Sequence, residues 1–90
     1  MTAEAATTRP CNGGFQSIGG YANVAWPYPI DISVSGPNQH GWWQWYSLTA
    51  PPFSNSGEFD KSVRVWLPPS GLPGIFPNVR CLTGSTYTFS

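Results

Sequence analysis

Ile30-Asp31-Ile32-Ser33-Val34 alternates apolar and polar residues without a break. Successive side chains of a strand point to opposite faces, so Ile30, Ile32 and Val34 face one way and Asp31 and Ser33 the other. That is the signature of a strand with one face in a core. Phe59 to Leu67 reads the same way, with Val63, Val65 and Leu67 on one side. Trp42 to Thr49 is a third strand, dense in aromatics and ended by Pro51-Pro52.

The segments between these strands read as turns. Gly36-Pro37-Asn38 is a turn signal, Ser54-Asn55-Ser56-Gly57 a loop, and Pro68 to Gly74 a stretch without regular structure. Phe15 to Ile18, Tyr21 to Trp26, Val79 to Leu82 and Ser85 to Phe89 supply further short strands. Ten glycines and ten prolines in ninety residues leave almost no room for a helix. Strands recurring about every ten residues predict an all-β domain, a small sandwich or compact barrel of about six strands. Residues 1–10 carry no strand or helix pattern and read as a flexible N-terminal tail; residues 11–90 form the single β domain. Thr2 to Ala6 resembles the end of a signal peptide, since Ala3-Glu4-Ala5 fits a small-x-small cleavage site.

Cys11 and Cys81 lie near opposite ends of the chain. A bond between them closes a loop of about seventy residues, worth on the order of 4 kcal/mol in the chain-entropy model. It implies an oxidising compartment, so the protein is expected to be secreted or on a particle surface. No CxxC or Cys/His spacing calls for a metal, and no cofactor motif is present.

Only 9% of residues are charged and the net charge is zero. Four basic residues balance four acidic ones, so no basic patch exists to neutralise phosphates and no polybasic run to anchor the chain on anionic lipid, and no apolar run is long enough to span a bilayer. Nucleic acid and membrane insertion are therefore not expected. Catalytic groups are scarce. His40 sits in the polar Asn38-Gln39-His40-Gly41, without a nucleophile elbow nearby. Glu58 and Asp60 share a strand face about 7 Å apart, the usual look of a solvated face.

Aromatics make up 16% of the chain. In Trp42-Trp43-Gln44-Trp45-Tyr46, Trp42, Gln44 and Tyr46 share one side and Trp43 and Trp45 the other. A two-layer domain buries one face of a strand, so large rings must stay outside unless a loop such as Pro68 to Gly74 covers them. Trp26-Pro27-Tyr28-Pro29 is a second aromatic cluster, held extended by its prolines. Arg64 and Trp66 share a face, which puts a cation near an indole. Exposed Trp, Tyr and Arg are the usual anchors of protein interfaces. These readings give a non-enzymatic extracellular adaptor that docks to a protein partner through Trp42, Trp43, Trp45, Tyr46, Arg64 and Trp66. Its rivals are a carbohydrate-binding module, with a polysaccharide as partner, and a virion structural protein of the capsid-decoration kind.

Overall fold

A computed structural model describes residues 6–48 and 52–90. It holds eight strands: β1 (Thr7–Pro10), β2 (Phe15–Ser17), β3 (Tyr28–Ser35), β4 (His40–Ser47), β5 (Ser54–Asp60), β6 (Ser62–Leu67), β7 (Ile75–Cys81) and β8 (Thr86–Phe89). They form two antiparallel four-stranded sheets, ordered β1-β8-β3-β6 and β2-β7-β4-β5. The pairs β4–β5, β3–β6, β2–β7 and β1–β8 nest inside one another and alternate between the sheets. The chain is thus one long hairpin wrapped into a sandwich, the jelly-roll winding. The β-sandwich reading and the disulfide both hold; the strand number is eight where about six were expected.

Inward residues follow the period of two. Ile30, Ile32 and Val34 of β3 face Val65 and Leu67 of β6 and Tyr87 of β8 on one side of the core. Ile75 and Val79 of β7, Trp45 of β4 and Phe59 of β5 form the other side. The Cα atoms span only 39 × 31 × 16 Å, so a single apolar layer separates the sheets.

Two glycines make that layer possible. Gly41 lies opposite Phe59 and Trp43 opposite Gly57 in the β4–β5 register. A Cβ on Gly41 would stand 2.5 Å from the Phe59 ring, and one on Gly57 would stand 2.8 Å from the Trp43 indole. Each large ring therefore lies across a glycine on the neighbouring strand. Cys11 and Cys81 are bonded, with Cα atoms 5.2 Å apart. The bond ties the corner after β1 to the end of β7, and so one sheet to the other.

Several local readings change. Thr7–Pro10, placed in the tail, is a strand because β8 offers a free edge to pair with. The cleavage-site reading on residues 1–5 falls outside the described residues. Tyr21 to Trp26 is no strand; it is a loop held by bridges from Tyr21 to Ile75 and from Val24 to Ser70. Ser54 to Gly57, read as a loop, opens strand β5, because the ladder of β4 outweighs the weak propensity of Ser, Asn and Gly. Phe59 to Leu67 is two strands, not one. Lys61 takes a positive φ of 68° and turns the chain from one sheet into the other.

Candidate functional site

Strand β4 sorts the aromatic segment as the period of two requires, but the six expected contact residues do not meet. Trp45 is 8% exposed and belongs to the core, and Trp43 packs against that core. Trp42 and Tyr46 point outward, Trp42 half-buried and Tyr46 38% exposed. Arg64 and Trp66 lie on β6, in the other sheet, facing away from β4. A contact surface joining all six is thus ruled out by geometry. Nor does Arg64 cover Trp66. Its Nε and Nη2 donate to the two carboxylate oxygens of Asp31 at 2.8 and 3.1 Å. That bidentate hydrogen bond holds the Asp31 carboxyl below its ordinary value of 3.8.

The outer face of the β2-β7-β4-β5 sheet gathers a different set. Cross-strand register places Phe15, Arg80, Trp42 and Glu58 in one row. Ser17, Asn78, Gln44 and Ser56 form the next row, and Phe76, Tyr46 and Ser54 a third. Rows lie about 7 Å apart along the strands, and strands about 4.8 Å apart. Phe15, Ser17, Tyr46, Ser56 and Glu58 are exposed, so the face is open to solvent. The Pro68 to Gly74 loop does not cover it; Ser70 pairs with Val24 in the β2–β3 loop instead.

The rings on this face are held. Trp42 Nε1 donates to Glu58 Oε1 at 2.9 Å. The Arg80 guanidinium stands 4.7 Å from the Trp42 ring centre, and Arg80 Nε donates to the Gly13 carbonyl at 2.9 Å. His40 meets Trp42 edge-on at 4.6 Å. Tyr46 stacks on Phe76 with centroids 5.7 Å apart. The cation–indole contact expected on β6 thus occurs on β7 and β4. Phe15, Phe76 and Arg80 escaped the sequence reading, because only the register of β2 and β7 puts them beside Trp42 and Tyr46.

His40 opens β4. Its Nδ1 lies 2.8 Å from Asp60 Oδ1 and its Nε2 3.7 Å from Glu58 Oε2. Glu58 and Asp60 do share a face, and both are engaged by β4. Among the described residues, no group of three or more His, Cys, Asp or Glu is arranged to hold a metal ion.

The outer face of the other sheet is different. Thr8, Thr88, Ser33 and Ser62 form a row of hydroxyls across it, with Thr8 and Thr88 hydrogen-bonded at 2.8 Å. Its aromatic content is Trp66, opposite Pro29. The chain matches no protein-family model, no curated protein and no solved structure. Lectin domains and capsid subunits both use the jelly-roll winding, so the winding does not choose between functions.

Proposed function

We propose that the protein is a non-enzymatic docking domain that binds a protein partner through the outer face of the β2-β7-β4-β5 sheet. The carrying observation is that Trp42, Tyr46, Phe15, Phe76 and Arg80 share one open face, with Trp42 and Tyr46 already fixed by neighbours. Trp, Tyr and Arg are the residues that dominate interface energies. Anchors fixed before binding lose little entropy on contact. The hydroxyl-lined sheet opposite offers one exposed ring, Trp66, and an Arg64 already engaged by Asp31, with no cluster of aromatics around them.

Ring geometry weighs against a polysaccharide. Stacking on sugars needs ring planes open to solvent, whereas Arg80 stands over Trp42 and Phe76 lies against Tyr46. The disulfide supports a place outside the reducing cytosol, on a secreted assembly or a particle surface.

The test is a comparison of two double variants recovered from the native source under identical conditions. Phe15→Ala/Trp42→Ala should lose the co-purifying partner with melting shifted by only about 5 °C, since each ring is partly solvated. Ser33→Ala/Ser62→Ala on the other sheet should retain it. The reverse pattern, or retention of the partner by both variants, refutes this assignment.

A further inference from the structure

Seven of the eight charged residues are described, and all avoid one end of the sandwich. Residues 18–30, 44–57 and 65–79 contain no Asp, Glu, Lys or Arg. The winding brings these three segments together. The β2–β3, β4–β5 and β6–β7 loops all leave the sandwich at the same end. The described residues of these connections include Trp26 at 79% and Leu72 at 74% exposure, with Leu48 at 61% just after β4 and Phe53 at 43% just before β5. The opposite end has no such side chain at its loop tips; Asn12, Pro37, Asn38, Lys61 and Thr83 are exposed there.

The depth of the uncharged zone is informative. The first charges below the apolar end are Asp31 on β3, Arg64 on β6, Glu58 on β5 and Arg80 on β7. Each lies at least three residues from the strand terminus nearest that end, or about 10 Å down. Arg9 reaches no deeper: its guanidinium donates to the Ser17 carbonyl, level with Asn78. Among the described residues, the zone runs around both sheets and both of their outer faces. A protein partner on one side would need only that side to be neutral. A neutral belt on all sides suits immersion, and an interfacial element enters the headgroup and acyl boundary by about 5–10 Å.

The loop chemistry fits the same medium. Trp is favoured at the membrane–water boundary. Pro27, Pro52, Pro68, Pro69 and Pro73 remove five backbone N–H donors from the loops, and an unpaired donor is costly to take out of water. We infer that this end, with Trp26, Leu48, Phe53 and Leu72 leading, docks onto an electrically neutral lipid surface. The sequence excluded a polybasic anchor and a spanning segment, and neither bears on an apolar tip. Tyr46 and Phe76 of the proposed protein-binding face lie within the uncharged zone, but Trp26, Leu48, Phe53 and Leu72 are not part of that face, so variants of the two sets let either reading fail alone.

Flotation with phosphatidylcholine vesicles tests it. The wild-type chain should float with them equally well at low and high salt, and adding phosphatidylserine should bring no gain. Trp26→Ser/Leu72→Ser should reduce partitioning more than tenfold with melting unchanged; Thr83→Ala at the opposite end should float like wild type. If the double variant does not fold, Leu48→Asp alone must produce the loss. Four results overturn the inference: no flotation of the wild type, flotation only with phosphatidylserine, undiminished flotation of the folded tip variants, or a lipid-free dimer that the tip variants abolish. The last would make a second copy the occupant.

Discussion

Gly41→Ala puts the packing of the thin core to a direct test. The new Cβ would stand 2.5 Å from Phe59 Cζ and 2.8 Å from Cε1. The ring is 7% exposed and lies between the sheets, so it has no room to retreat. Replacing a strand glycine with alanine gains about 0.5–1 kcal/mol of backbone entropy. Overpacking a filled core costs about 1–3 kcal/mol. A contact as short as 2.5 Å places the overpacking cost in the upper part of that range, so the net is a loss of about 1–2 kcal/mol. Ninety residues have an unfolding entropy near 190 cal/mol/K, so melting should fall by about 5–10 °C. Phe59→Leu removes the ring and destabilises on its own account. The double variant should then be more stable than the two single losses added, by at least about 0.5 kcal/mol. Thermal melts of the four proteins measure the cycle. A Gly41→Ala chain that melts at or above the wild type, or a double variant that is strictly additive, would show that Phe59 does not lie across Gly41.

Three further outcomes follow from the same structure. The Cys11→Ala/Cys81→Ala chain loses the cross-link of a 70-residue loop; the chain-entropy relation gives about 4.4 kcal/mol, so melting should drop by about 20 °C, and the oxidised wild type heated with and without reductant should show a drop of the same size. Tyr87 is fully buried and its hydroxyl has no hydrogen-bond partner among the described residues, so Tyr87→Phe should raise melting by about 5 °C, roughly 1 kcal/mol; a lower melting point would reveal a partner for that oxygen. Asp31 has a lowered pKa in the folded state through its hydrogen bonds to Arg64, so the pair stabilises above the unfolded value of 3.8 and the gain is lost as pH falls through the folded value. Both groups are solvated, so the effect is small and salt-screened; the melting difference between wild type and Arg64→Gln should close between about pH 5 and pH 2, and a difference that persists there would remove Asp31 as its cause.

The parts of the fold that were legible are those set by local alternation. Ile30, Ile32, Val34, Val65 and Leu67 needed no partner to be assigned a face, and each is buried. What stayed hidden depends on which strand lies next to which. Thr7–Pro10 has no strand character of its own and becomes one by pairing with β8. Gly57 reads as a turn residue, yet it is where the Trp43 indole rests. The premise about β4 was sound: adjacent indoles do point to opposite sides. Its extension to Arg64 and Trp66 failed because nothing local tells that β6 pairs with β3 and not with β4.

The same dependence explains the uncharged end. In the sequence, residues 18–30, 44–57 and 65–79 are three separate neutral stretches, each unremarkable beside a composition that is 9% charged throughout. Nested pairing of β4 with β5, β3 with β6 and β2 with β7 makes every second connection leave at the same end. Each neutral stretch is centred on one of those connections. Low charge in this chain is therefore not spread evenly over the surface. Among the described residues, it is the average of an end that keeps His40, Glu58, Asp60, Lys61 and Arg80 in water and an end that keeps none. Solubility needs charge somewhere on the surface, not everywhere. Confining it to one end leaves the other free to present Trp26 and Leu72, which solvation alone does not call for.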